Sequence, residues 1–248
     1  YPGQIAGVIM EPATGAHPAP GYLQAVKDIC HKDGALFILD EMITGFRWHL
    51  QGAQTYYGVE PDLCTFGKGM ANGFSVAALG GKREFMEVGG IKKLGQERTF
   101  LVSTTHGGEM CSLNAFLAAA KIYQNQDVIG HLWSYGEKLI TGMNDIAKEL
   151  GIQDYFQAVG VPCSPNYITK DKTGAASMAF RTLYSQEMIN NGVLMPWIAI
   201  SLAHGQEELD FTLNAVRNAL KVYAKALEDG YEKYLNGAVI KPVFRQFN

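Results

Sequence analysis

Short apolar runs that end on a charged residue, alternating with helix-spaced segments, fix the fold class of the first half of this chain. Ile5 to Met10 reads as a buried strand and stops at Glu11. Gly21 to Cys30 carries Leu23, Val26, Ile29 and Cys30 at helical spacing, Gly34 ends that helix, and Ala35 to Leu39 forms a second apolar run that stops at Asp40. A third run, Leu63-Cys64-Thr65-Phe66, leads into Gly67-Lys68-Gly69. The alternation predicts βαβ units and a parallel sheet, an α/β fold. In open sheets of this kind ligands bind outside the carboxyl ends of the strands, so Glu11, Asp40 and Lys68 are delivered to one candidate site.

Lys68 and Asp40 carry the sharpest chemistry. A lysine amine can hold an aldehyde cofactor as a Schiff base, and a carboxylate beside a pyridine nitrogen keeps that nitrogen protonated so that the ring accepts electrons. At neighbouring strand ends the two suit pyridoxal phosphate. Gly67 and Gly69 remove side chains where the backbone must approach a ligand closely. Taken singly, Lys68 could be an ordinary surface lysine and Asp40 a cap or turn residue. A Walker loop is a poor match, because the six-residue lead is absent and Met70 stands where Ser or Thr would bind magnesium.

The flanking segments narrow the choice. Phe37-Ile38-Leu39-Asp40-Glu41-Met42-Ile43-Thr44-Gly45-Phe46-Arg47, Gly58-Val59-Glu60-Pro61-Asp62 through Gly67-Lys68-Gly69, Val76-Ala77-Ala78-Leu79-Gly80-Gly81-Lys82-Arg83-Glu84, Ser103-Thr104-Thr105-His106-Gly107-Gly108-Glu109 and Ile200-Ser201-Leu202-Ala203-His204 follow one another in order. Together they resemble class III pyridoxal-phosphate-dependent aminotransferases, and especially the glutamate-1-semialdehyde 2,1-aminomutase-like branch. The resemblance runs from roughly Ile5 to the helix ending near Asp229. It implies a fold-type-I transferase, amino-group transfer through a Schiff base on Lys68, and Lys68 as the residue that moves the proton. Asp40 would hold the pyridinium, Met42 would lie on the cofactor face, and Thr105 would bind the phosphate across a homodimer interface. Glu11 and Ile43 are further candidates for contact with the cofactor. Read without the family, Met42 is a core methionine, Thr105 a turn residue and Glu11 a capped strand end, while His106 and His204 read as hydrogen-bonded structural residues. Glu109 and Met110 replace the Asn-Pro common in the family, and a helix N-terminus would favour the charge of Glu109.

The second half has a different composition. Glu109 to Asn125 and Val128 to Leu150 read as helices, the second placing Ile129, Leu132, Leu139, Ile140, Met143 and Ile146 on one face. Strand-like Ala158 to Ile168, a polar turn at Thr169 to Gly174, and an amphipathic helix from Gln206 to Leu227 follow. The expected organisation is therefore 1–150 as part of a cofactor-binding large domain and 151–248 as a small C-terminal α/β domain.

A net charge of −3 spread without basic blocks argues against nucleic acid or an anionic membrane surface as partner. Cys30, Cys64, Cys111 and Cys163 are widely spaced and no histidine pair has ligand spacing, so no disulfide framework or metal site is expected. The longest apolar stretch, Val193 to Ala203, is broken by Pro196, and no signal sequence is visible, which gives a cytoplasmic expectation. The partners expected are a small amino or oxo substrate and a second copy of the chain. No arginine lies in Gly192 to Trp197, where many intermolecular members bind a carboxylate, which leans towards the mutase-like branch.

Tyr1-Pro2-Gly3-Gln4 runs directly into a strand with no initiator methionine, so the chain reads as the C-terminal part of a longer enzyme. The family resemblance implies an upstream Gly/Ser-rich phosphate cup and a stacking aromatic, with no equivalent in these residues. The isolated piece is accordingly expected to hold cofactor poorly. The rival expectation is a catalytically incomplete fragment serving only as a folded or partner-binding piece.

Overall fold

A computed structural model describes residues 1–90, 94, 95, 97 and 105–241. The chain divides into two compact units, Tyr1–Ile129 and Gly130–Asn248.

The first unit is built on a four-stranded sheet in the order β1 (Gly7–Met10), β2 (Leu36–Asp40), β3 (Leu63–Phe66), β4 (Ala78–Gly81). The pairs β1/β2 and β2/β3 are parallel and β3/β4 is antiparallel, so the sheet is mostly parallel with one reversed edge. Helix α1 (Tyr22–Lys32) joins β1 to β2 and ends in a Schellman motif. There Ala35 N–H donates to the Cys30 carbonyl (2.8 Å) and Gly34 N–H to His31 (3.2 Å), with Gly34 left-handed at φ 77°. Short α2 (Ala53–Tyr57) precedes β3, and α3 (Arg83–Met86) and α4 (Met110–Asn125) follow β4.

Strand alternation puts Phe37 and Leu39, both fully buried, on the α1 side, where they meet Leu23, Cys30, Ala35 and Val59. Burial of such side chains stabilises the unit by roughly 1.5–3 kcal/mol each. Leu36, Ile38 and Asp40 take the opposite, half-buried face. The buried strand expected at Ile5 to Met10 is instead half exposed, with Ile5 at 45% and Ile9 at 60%. The reason is position: β1 pairs on one side only and only its inner face meets α1.

At the amino end of β3, buried Asp62 accepts hydrogen bonds from Phe37 N–H (2.8 Å), His31 Nε2 (2.9 Å) and Lys82 Nζ (2.7 Å). Burial alone would push this carboxyl up. The bonds from Lys82, the Phe37 N–H and His31 outweigh it and hold the group at about 2. One side chain thus ties α1, β2 and the strand end after β4 together, at the end of the sheet away from Asp40.

The second unit contains α5 (its helix spans Val128–Glu149), the antiparallel hairpin β5 (Phe156–Val161) and β6 (Ser164–Thr169), α6 (Met178–Asn190) and α7 (Gln206–Asp229). Leu132, Leu139, Met143 and Ile146 of α5 are buried as their spacing predicts, while Ile129 and Ile140 are half-buried. Leu209, Val216, Leu220 and Tyr223 of α7 are likewise buried. Gly136 brings α5 against the hairpin turn so closely that a Cβ there would overlap the Pro162 carbonyl oxygen. The Tyr223 hydroxyl accepts from Lys170 N–H (3.0 Å) and reaches the Lys170 and Tyr155 carbonyls (2.6 and 3.1 Å), joining α7 to the sheet edge. Helix α5, placed by sequence with the first domain, clusters with this second unit. Among the described residues no helix is long and apolar enough to cross a membrane.

Candidate active site

Three side chains stand where the parallel strands end. Glu11 follows β1, Asp40 closes β2, and Lys68 opens a single 3₁₀ turn (Lys68–Met70) two residues after β3. Adjacent strands lie about 4.8 Å apart, so these ends are neighbours by construction.

Asp40 is half-buried and pairs with Thr65 across β2/β3. Its Oδ1 accepts the Met42 N–H (3.0 Å), a short Asx-type turn, and the Thr65 hydroxyl (3.2 Å). No described residue donates to Oδ2. Glu41 points the other way, as strand alternation requires, and is completely buried. Its carboxylate accepts from Thr44 Oγ1 (2.6 Å), Ala53 N–H (2.7 Å) and Gln54 N–H (2.7 Å). It therefore caps α2 and pins the Met42 to Gly52 loop: among the described residues the first carboxylate of the pair has one open oxygen, while both oxygens of the second are bonded.

Lys68 has an exposed side chain that makes no hydrogen bond or ion pair with any described residue, while its backbone carbonyl accepts the Asn72 N–H (3.1 Å). Its backbone is left-handed, φ 43°, a region costing a non-glycine residue on the order of 1–3 kcal/mol. The other two non-glycine residues of this kind among those described are Phe46 (62°) and Asn72 (43°), in the same corner of the chain. The Phe46 ring lies 5.9 Å from Phe66 and 5.4 Å from Tyr123 of α4, closing the floor beside the 3₁₀ turn. A Cβ at Gly67 would run into the Met42 thioether, whose methyl end would have to shift. Met42 thus packs beside the lysine turn, half-buried, with half-buried Ile43 following it. Glu11 lines a separate cavity of about 420 Å³ with Thr14 and His17.

Sequence reasoning selected Glu11, Asp40, Met42, Ile43, Lys68 and Thr105. The structure brings Asp40, Met42 and Lys68 into one corner, with Glu11 at the adjoining strand end. Thr105 is exposed, and no hydrogen bond or ion pair joins it to Asp40, Met42 or Lys68 among the described residues. Its neighbours Ser103 and Thr104 lie outside the described residues. Glu109 occupies the N-cap position of α4 without a side-chain bond to the helix, and its Oε2 accepts the Gly107 N–H (3.0 Å). Backbone N–H groups, its own and that of Gly107, hold its carboxyl below the ordinary value. Thr65 and Tyr123 were not selected. Thr65 is 25 residues from Asp40 in sequence, so only the β2/β3 register reveals the pairing.

Comparison with known proteins agrees in both sequence and shape. The family model described as class-III aminotransferase matches residues 1–196. A 3-aminobutyryl-CoA aminotransferase of Cloacimonas acidaminovorans is 34% identical over 233 residues, covering 90% of this chain and 54% of that protein. A glutamate-1-semialdehyde 2,1-aminomutase of Thermomicrobium roseum is 32% identical over 237 residues, with the same coverage of 90% and 54%. Among solved structures, the PLP internal aldimine form of the Sphingopyxis sp. MTA144 FumI protein superposes with a TM-score of 0.77 at 23% identity. That match covers 92% of this chain and 53% of the other, and at such identity it speaks for the fold alone. The chain spans about half the length of the curated relatives it matches.

Proposed function

The chain belongs to the class III aminotransferase family, and we propose that it carries the lysine and aspartate of a pyridoxal-phosphate site for amino-group transfer. The observation that carries this reading is the corner itself: an exposed lysine side chain on a strained backbone, near a carboxylate with one oxygen that, like the lysine amine, has no hydrogen-bond partner among the described residues. The residues fit such a cofactor. Where a side chain at Gly69 would stand, the nearest atoms are Tyr123 Oη and the Gly45 carbonyl, at 3.9 and 4.0 Å, so the backbone of the turn is open to the approach of a methyl-sized group.

When bound, pyridoxal phosphate supplies the electron sink for bond breaking at the amine-bearing carbon of the substrate. Lys68 Nζ would hold the cofactor and, when free, would carry a proton to and from the substrate carbon. Asp40 would hold the ring nitrogen through its carboxylate, and Met42 would pack beside the ring. Ile43 would line the near wall, Glu11 would stand at the adjoining strand end, and Thr105 would hold the phosphate from the neighbouring subunit of a homodimer. Residues 1–150 act as part of the large domain and 151–248 as the small domain, a functional boundary one helix beyond the division at Ile129.

The substrate is a small amino or oxo compound. The two curated relatives differ in whether the amino group passes between molecules or within one, and the arginine-free segment Gly192 to Trp197 supports the mutase-like alternative. The working compartment proposed is the cytoplasm. The decisive experiment is borohydride reduction of the full-length protein with pyridoxal phosphate, followed by peptide mapping. The label should fall on Lys68 and disappear in Lys68→Ala; label on a different lysine overturns the assignment.

A further inference from the structure

We propose that Thr65 is the positioning residue of this site, fixing the Asp40 carboxylate so that Oδ2 alone is presented to a heteroaromatic ring nitrogen. The proposal rests on the cofactor reading above. Two donors converge on Oδ1, and they come from different segments: Met42 N–H from the loop after β2 and Thr65 Oγ1 from β3. A carboxylate held through one oxygen from two directions cannot rotate without losing a bond, and the remaining oxygen points where neither donor reaches. Register makes the contact obligatory, since Asp40 and Thr65 are direct partners in the β2/β3 pairing.

The hydroxyl is committed to this task. It carries one proton, and among the described residues its only hydrogen-bond partner is Asp40. The Thr65 backbone carbonyl meanwhile accepts the Glu41 N–H (3.0 Å), which locks the Asp40-Glu41 strand end against β3 independently of the side chain. Side-chain and backbone roles of Thr65 are therefore separable. Valine keeps the branched shape and strand preference and removes only the hydroxyl, whereas serine keeps the hydroxyl.

The test is cofactor binding. Full-length protein is stripped of cofactor and titrated with pyridoxal phosphate by visible absorbance, comparing wild type, Thr65→Val, Thr65→Ser, Asp40→Asn and the Asp40→Asn/Thr65→Val pair. Thr65→Val should bind about tenfold more weakly, as expected for loss of a half-exposed hydrogen bond to a charged acceptor. Thr65→Ser should stay within about twofold of wild type, and Thr65→Val should add no more than about twofold in the Asp40→Asn background, the signature of acting through Asp40. A purely structural role would lower the unfolding midpoint in both backgrounds while leaving the affinity ratio near one. If the valine variant does not fold, Thr65→Ala carries the same expectation. Unchanged affinity in Thr65→Val alongside weakened Asp40→Asn overturns the positioning role, as does a full tenfold loss in the Asp40→Asn background. Wild-type protein that takes up no pyridoxal phosphate overturns the functional reading and this proposal together.

Discussion

Asp62→Asn isolates the electrostatic clamp at the far end of the sheet from the chemistry at the near end. The native carboxyl is held at about 2 against an ordinary 3.8. At ~1.4 kcal/mol per pH unit, that depression contributes roughly 2 kcal/mol of stability wherever the unfolded chain's carboxyl is ionised. Because the folded value is the lower one, the contribution is fully present above about pH 4 and is lost as pH falls through 2. Asparagine preserves shape but places an NH₂ against donors, so at neutral pH the variant should lose at least this ~2 kcal/mol. Urea unfolding at pH 7 and pH 5 should show that same deficit at both. Between pH 4 and pH 2 the gap should shrink, since the wild type alone loses its ionised clamp there. A deficit that stays constant down to pH 2, or one below about 0.5 kcal/mol at pH 7, would refute the argument, because the first is a packing effect and the second a solvent-screened surface pair.

Two further substitutions probe features on either side of the molecule's division. Gly136→Ala would ordinarily gain about 1 kcal/mol in a helix interior. Here the added methyl meets the Pro162 carbonyl oxygen, so a net loss of roughly 2 kcal/mol in thermal or urea unfolding is expected, and a stabilised variant would contradict the close approach. Glu41→Gln keeps size but breaks the three-donor arrangement, and a loss of roughly 2 kcal/mol is expected, with faster amide exchange at Ala53 and Gln54 as the local readout. Exchange unchanged at those two amides would show that the cap is formed by other groups.

Much of the corner is written locally. The apolar runs ending at Asp40 and before Lys68, and the glycine ending α1, depend on period and turn chemistry within a few residues, and each appears where that chemistry puts it. Other features depend on residues far apart in sequence. The reversed direction of β4 follows from how Leu63 to Phe66 pair with Ala78 to Gly81, and nothing in the period of four residues specifies direction. Glu41 adjoins Asp40 in sequence, but its partners Ala53 and Gln54 lie a loop away, and Thr65 reaches Asp40 only through strand register. The grouping of α5 with the hairpin comes from contacts made at Gly136 and along its buried face, which amphipathic spacing predicts without naming the partner. Thr105 remains tied to the corner by resemblance alone, because the turn before it lies outside the described residues.

The left-handed backbone at Lys68 makes position 68 a place where two kinds of selection would pull apart. Every side chain bears the steric cost of that conformation except glycine. A library of variants at this position, ranked only by resistance to heat, has glycine as its natural favourite and lysine well down the order. Ranked by attachment of an aldehyde, the role proposed for Lys68 would invert that order. On that reading, lysine stands on this backbone for its amine and not for the chain's own conformational preference.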